Sequence, residues 1–138
     1  MDAFDRRSKG QRGSVDPVAR YLGQLQAEVM DVFWRRGDAT VREVLHELNR
    51  RRALAYTTVS TLITRLWSRG LLAREPEGRG YRYRPTTSRE AFLAELSDEL
   101  IDRLIADFGD VAVARLGARV ENLDAERRRR LDEERRRA

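Results

Sequence analysis

The sequence predicts a mainly α-helical protein, in which one β-hairpin follows three helices and precedes two or three more. Apolar residues recur at three- and four-residue spacing in five segments between Leu22 and Val120, which is the period of amphipathic helices. Only residues 71–84 form short strand-like runs around a turn that contains Pro and Gly. The 138 residues are 41% hydrophobic, so we expect a modest core in one domain or two small ones.

The composition excludes several classes of protein. No apolar run approaches the roughly 20 residues that span a membrane, and we expect no secretory signal and no membrane insertion. The absence of cysteine excludes disulfides, thiolate metal sites and cysteine nucleophiles. The expectation is a soluble, cytoplasmic protein.

Charge is distributed unevenly along the chain, whose net charge is +5. Residues 15–90 contain fourteen basic and nine acidic residues, whereas 91–126 contain three basic and nine acidic residues. A basic region followed by an acidic one indicates that the first region faces a polyanion. A uniformly solvated surface is the alternative.

The first predicted helix runs over 22–37 and has a weak version of a capping box at Gly23 and Gln26. A full capping box, Thr40-Val-Arg-Glu43, opens the second helix. Residues 1–18 lack periodicity and carry clustered charge, which predicts a mobile arm.

The third helix is predicted from about Tyr56 to Gly70, a favourable residue just beyond a helix end. Its inward residues are Val59, Leu62, Ile63 and Leu66, and its outward residues are Thr57, Thr58, Ser60, Thr61, Thr64, Arg65 and Ser68. This outward face is rich in hydroxyls and almost uncharged. Because threonine has only moderate helix propensity, helix formation does not explain the choice.

The hairpin is predicted to have strands at 71–75 and 81–84 around a turn at 76–80. A capping box, Thr87-Ser-Arg-Glu90, then opens a helix with an apolar stripe, and a shorter apolar segment follows Gly109. Residues 124–138 form an Arg- and Glu-rich helix candidate.

Three short helices followed by a basic hairpin predict a winged helix-turn-helix, in which the third helix enters the major groove of DNA. Hydroxyl groups can bond phosphates or base edges, and arginines on the wing can bind phosphates. Each feature alone has an ordinary alternative, namely a solvated helix face or a half-buried strand. Their joint occurrence in one basic segment favours DNA binding. The predicted DNA-binding residues are Thr40, Arg42, Tyr56, Thr57, Thr58, Ser60, Thr61, Thr64, Arg65, Arg79, Tyr81, Arg82 and Arg84.

Residues from about 20 to 86 resemble the penicillinase-repressor family of the BlaI, MecI and CopY type. The motifs that carry the resemblance are LGQLQAEVM over 22–30, Trp34, TVREV over 40–44, AYTTV over 55–59, Thr61, TRL over 64–66, GL at 70–71 and YRYRP over 81–85. The resemblance implies a homodimeric repressor with an N-terminal winged helix for double-stranded operator DNA and a C-terminal helical dimerisation region. By position, it places Thr57, Thr58, Ser60 and Thr61 at the bases. It also implies a membrane-bound sensor protease as a candidate partner.

The sequence departs from this family in three respects. It lacks the cysteine pairs of copper-responsive members, which excludes a thiolate copper switch. It also lacks the Asn-Phe dipeptide at which β-lactam-responsive members are cut; a rough alignment places Ala114-Arg115 there. Thr57 and Ser60 stand where family members often have Lys or Arg, which predicts a different operator sequence.

Seven apolar residues on one helix are predicted to form a dimer interface with a second copy. They are Phe92, Leu93, Leu96, Leu100, Ile101, Leu104 and Phe108. The alternative is that this helix folds back on its own domain. We therefore predict a mobile arm over 1–18, a winged-helix DNA-binding domain over 19–86, a dimerisation region over 87–126 and a charged tail over 127–138.

The sequence contains no recognisable catalytic or metal site. His46 is the only histidine, and its position on the outer side of the second helix predicts a surface residue without partners for a zinc site or a triad. We therefore expect no enzyme activity and no cofactor. The predicted function is a homodimeric repressor that occupies a pseudo-palindromic operator through the third helix and the wing. The rival is a winged-helix adaptor that docks protein partners through the acidic, leucine-rich helix at 92–108.

Overall fold

The computed structural model describes residues 16–137 of the chain. Its elements, in order, are α1 (Pro17–Leu22), α2 (Gln24–Arg36), β1 (Ala39–Thr40), α3 (Val41–Leu48), α4 (Tyr56–Ser68), β2 (Leu72–Glu77), β3 (Gly80–Pro85), α5 (Arg89–Phe108) and α6 (Asp110–Arg137). The three strands form one antiparallel sheet in the order β1-β3-β2. This is the predicted winged helix-turn-helix followed by two helices.

The core of the winged helix is built from the apolar faces of the helices and one face of the sheet. Phe33 of α2 is fully buried and meets Tyr83 of β3 edge-on, with 6.5 Å between ring centroids. The other buried side chains are Val18, Leu22, Ala27, Val29, Met30, Val32, Ala39, Val41, Val44, Leu48, Val59, Ile63, Leu66 and Leu72. Three of the four residues that the periodicity placed inward on α4 are therefore buried, and Leu62 is half-buried.

The first predicted helix is two helices, separated by Gly23. This glycine has φ +96°, a conformation that other residues rarely adopt, and it both ends α1 and precedes α2. The proposed capping box at Gly23 and Gln26 is wrong, because Gly23 has no side chain to accept the bond. Asp16 caps α1 and Val18 is buried. Residues 16–18 are therefore part of the fold, while the rest of the predicted arm lies outside the described residues.

Helix α4 ends as predicted. Gly70 has φ +86°, and the N–H groups of Gly70 and Leu71 donate to the carbonyls of Trp67 and Leu66, both at 3.0 Å. These two bonds form a Schellman motif, which turns the chain directly from α4 into β2.

The hairpin is tighter than predicted. Glu77 pairs with Gly80, so the loop consists only of Gly78 and Arg79. Gly78 has φ +61° at the first loop position, which type II′ turns reserve for glycine. Pro76 belongs to β2 and is tolerated because β2 lies at the edge of the sheet. Strand β1 was not predicted, since two residues are too short for an alternating pattern.

The start of α5 has a different cap from the predicted one. The hydroxyl of Ser88, not that of Thr87, caps the helix by accepting from the N–H of Ala91 at 3.0 Å. The described chain divides into two compact units between Leu93 and Ala94, later than the predicted boundary at 86–87. The first turn of α5 belongs to the first unit because Phe92 and Leu93 pack against its core.

The predicted capping box of α3 is present and gives a test of local stability. The hydroxyl of Thr40 accepts from the Glu43 N–H at 3.2 Å, and the Glu43 carboxylate accepts from the Thr40 N–H at 3.0 Å. We expect Thr40→Ala to lower the free energy of unfolding by about 1 kcal/mol in urea titrations, and Thr40→Ser to retain most of it. Equal stability of all three proteins would contradict the cap.

Candidate nucleic-acid interface

The turn between α3 and α4 is closed by Asn49. Its side-chain oxygen accepts from the Leu54 N–H at 2.8 Å, and its amide nitrogen donates to the Leu54 carbonyl at 3.4 Å. This pair of bonds fixes the start of α4 relative to α3. It therefore holds the two helices of the helix-turn-helix in place.

Helix α4 exposes the predicted hydroxyl-rich face. Thr57, Thr58, Thr61, Thr64 and Arg65 are exposed, and Ser60 is half-buried. The helix contains no carboxylate, so nothing on it repels a phosphate. No side chain caps its amino end at Ala55, which leaves N–H groups of the first turn available to an anion. The structure brings these side chains together on one surface.

Arg42 and Tyr56 lie beside this amino end. The Arg42 guanidinium is 5.3 Å from the centroid of the Tyr56 ring, and both side chains are exposed. The contact joins the first turn of α3 to the first turn of α4. Thr40, by contrast, is half-buried and uses its hydroxyl oxygen in the helix cap.

One face of the wing carries an internal ion cluster around Arg82. Its guanidinium donates to Asp38 at 2.8 Å, to Glu43 at 3.2 and 3.4 Å, and to Glu77 at 2.9 and 3.0 Å. Its five N–H groups are occupied by three carboxylates, whereas the sequence predicts that Arg82 binds phosphate. Arg84 is less engaged: it is exposed and lies 3.5 Å from Glu75.

The Arg82 cluster shifts the acid–base equilibria of its members. A hydrogen bond from the Thr40 backbone, with Arg82 adding to it, lowers the pKa of Glu43. The side-chain bond from Arg82 lowers the pKa of Glu77. The same carboxylates raise the pKa of the Arg82 guanidinium above its usual range.

The other face of the wing packs toward α4. Arg74 of β2 lies between two aromatic rings, 3.6 Å from the centroid of Trp67 and 3.8 Å from that of Tyr81. Tyr81 in turn meets the buried Tyr83 at 6.1 Å. The sequence analysis did not identify Arg74 or Trp67. The observed hairpin register pairs Pro76 with Tyr81, and it is this register that places Arg74 and Tyr81 on the same face of the sheet.

Arg79 lies at the tip of the wing and is exposed. Neither Arg79 nor Arg65 forms an ion pair within residues 16–137. Their positive charges are therefore uncompensated in the described part of the protein, as an interface with a polyanion requires.

The predicted dimerisation residues are divided between the two units. Phe92 and Leu93 are half-buried against the winged-helix core, and the Phe92 ring lies 6.0 Å from Trp34. These contacts fit the alternative for these two residues, in which the start of the helix folds back on its own domain. The predicted residues of the second unit are the half-buried Leu96 and the exposed Leu100, Ile101, Leu104 and Phe108.

A cavity of about 670 Å³ opens on the first unit between α2, α3 and the start of α5. Its charged lining is balanced and consists of Glu28, Asp31, Glu47, Glu90, Arg35, Arg50, Arg51 and Arg89. Burial, with the neighbouring Asp16 carboxylate, raises the pKa of Asp31. Because the charges balance, the cavity shows no preference for a cation or an anion.

His46 is exposed on α3, as predicted. Within residues 16–137, no group of three or more His, Cys, Asp or Glu side chains is arranged to hold a metal ion. None of the helices described has the length and apolar character of a membrane span.

The sequence profile of the penicillinase repressor family matches residues 22–134. The chain belongs to this family. The predicted resemblance is thereby confirmed and extends into α6. The chain is 42% identical over 76 residues to the transcriptional regulator BlaI of Mycobacterium tuberculosis, a match that covers 54% of this chain and 55% of the relative. It is 27% identical over 82 residues to the penicillinase repressor of Bacillus licheniformis, covering 59% and 64%.

These matches span only part of the curated relatives, about half the length of the mycobacterial regulator. Among solved structures, the chain is similar to the DNA-binding domain of the repressor BlaI in solution. The identity is 31%, the coverage is 46% of this chain and 78% of that one, and the TM-score is 0.43.

The Arg82 cluster predicts a specific titration. The pKa values of Glu43 and Glu77 are lowered, so their ionised forms stabilise the fold above the unfolded value of about 4.5. That contribution is lost as the pH falls through the lowered pKa values. NMR titration of the side-chain carboxyl carbons should therefore give midpoints below those of glutamates that form no ion pair.

In the variant Arg82→Gln, both midpoints should move upward, whereas the matched wing variant Arg84→Gln should leave them unchanged. Unaltered midpoints in Arg82→Gln would contradict the cluster.

Proposed function

We propose that this protein is a homodimeric transcriptional repressor that binds a pseudo-palindromic operator in double-stranded DNA. In this proposal, α4 enters the major groove and the wing lies along the phosphate backbone. Membership of the penicillinase repressor family supports this function, as do the DNA-binding and repressor names of its relatives.

The observation that carries the proposal is the exposed, carboxylate-free face of α4. Thr57, Thr58 and Thr61 lie on it within about two turns of the open helix end at Ala55. A threonine hydroxyl can donate to or accept from a base edge, and its methyl group can pack on that of thymine. The side chains of the four outward threonines of α4 make none of the described hydrogen bonds. Their hydroxyl and methyl groups are suited to contact base edges in the major groove.

Affinity in this proposal comes mainly from arginine–phosphate contacts. Arg65 on α4 and Arg79 at the wing tip are exposed and form no ion pair within residues 16–137. Each phosphate contact releases condensed counterions, so binding should weaken steeply with salt. Specificity comes from the hydroxyl face instead, because phosphate contacts carry no sequence information.

Exposed apolar side chains of the second unit support the homodimer. Leu100, Ile101 and Leu104 of α5 are 38 to 42% exposed, and Phe108 is 62% exposed. Apolar side chains concentrated on one helix face mark an interaction surface. A two-fold dimer would bury this surface and place two α4 helices on two operator half-sites.

The recognition surface can be tested by adding negative charge to it. Thr58→Glu combined with Thr61→Glu should repel phosphates and remove the hydroxyls, so operator affinity should fall at least 100-fold in fluorescence anisotropy (about 3 kcal/mol, at about 1.4 kcal/mol per factor of ten). The matched control is Thr87→Glu with Ala106→Glu, which adds the same charge at exposed positions elsewhere. Unchanged affinity of the α4 variant would show that this face does not bind DNA.

The dimer surface can be tested separately. Leu100→Lys with Leu104→Lys should convert the dimer into a monomer in sedimentation equilibrium, because buried lysines without partners are strongly unfavourable. Ala106→Lys with Glu95→Gln makes the same change in charge on the other side of α5 and should remain dimeric. A wild-type protein that is monomeric at micromolar concentration would favour the adaptor function, in which this helix face binds a different protein.

A further inference from the structure

Arg74 is the one arginine in the described strands without a carboxylate partner, because Arg82 and Arg84 each have one. Arg36, Arg52, Arg82 and Arg89 each lie within 3.2 Å of a carboxylate oxygen. Among residues 16–137, Arg74 forms no ion pair and instead stacks between Trp67 and Tyr81. It is also half-buried, so its positive charge is held in place without a counterion.

The stacking leaves one direction open for a ligand. A guanidinium is planar, and its five N–H donors point outward in that plane. With rings at 3.6 and 3.8 Å on its two faces, Arg74 can offer only its edge. A fixed guanidinium edge matches two oxygens of a phosphate, and immobilising it in advance reduces the entropy lost on binding.

Three other arginines of the first unit share this lack of a counterion. Arg65, Arg69 and Arg79 also lack ion pairs within the described residues, and all three are exposed. The carboxylates of β2 do not interfere, because Glu75 and Glu77 alternate with Arg74 along the strand and point to the opposite face. There they pair with Arg84 and Arg82.

We propose that Arg74, clamped between Trp67 and Tyr81, binds a phosphate of the DNA backbone, whereas Arg82 positions the wing without touching DNA. This inference rests on the proposed DNA-binding function and adds a contact to it. Because a phosphate carries no sequence information, the contact should be equally present on specific and non-specific duplexes.

The test is the dependence of log K on log salt concentration for a labelled 30-base-pair duplex of scrambled sequence. Each lost phosphate contact reduces the slope by about 0.9, so Arg74→Met should reduce it by about 1.8 for a dimer that uses both copies. Arg89→Met removes the same charge outside the wing and α4, where Arg89 pairs with Asp16, and should leave the slope unchanged. A merely structural role of Arg74 would not alter the slope.

Arg74→Lys guards against misfolding as the explanation, because it keeps the charge and should retain the wild-type slope. Melting temperatures of all variants are measured alongside. An unchanged slope in Arg74→Met, or an equal reduction in Arg89→Met, would overturn the inference. A wild-type protein that binds scrambled and native duplexes equally would refute the proposed function as a sequence-specific repressor. The salt slopes of the variants would still show whether Arg74 binds a phosphate. A protein that binds neither duplex would overturn both.

Discussion

The carboxylate of Glu43 is shared by several elements of the winged helix. It accepts the Thr40 N–H in the helix cap, bonds Arg82 of the central strand and lies 3.2 Å from Arg36 at the end of α2. Ion pairs that are this exposed contribute little stability individually, about 0–1 kcal/mol. These ion pairs matter because they hold the amino end of α3 against the wing. The bonds between Asn49 and Leu54 then fix the start of α4 relative to α3.

The hairpin uses its two faces for different purposes. On one face, Arg82 neutralises carboxylates and joins the strands to α3. On the other face, the Tyr83 side chain is buried in the core. Tyr81 packs against Tyr83, and Arg74 stacks on Tyr81 nearer the surface. Alternation along a strand imposes this separation. A wing anchored on one face can therefore keep a cation free on the other, which explains why its arginines are not interchangeable.

Much of the winged helix is predictable from local signals. The capping box at Thr40, the inward residues of α4 and the glycine at position 70 each follow from residue type and spacing. The wing contacts are different, because they depend on register. A turn over 76–80 would place Arg74 opposite Arg82, whereas the two-residue loop pairs it with Tyr83. A shift of one residue exchanges the two faces, so neither the Arg82 cluster nor the Arg74 stack could be predicted.

Fluorescence anisotropy measures whether the protein binds one DNA sequence, as a dimer, in preference to others. The wild-type protein is titrated into duplex DNA from upstream of its own gene and into a scrambled duplex of the same composition, across a salt series. We expect much tighter binding to the native duplex, with two protomers per site, and a preference that persists as salt rises. Equal affinity for both duplexes, lost at modest salt, would contradict it and leave only a basic surface.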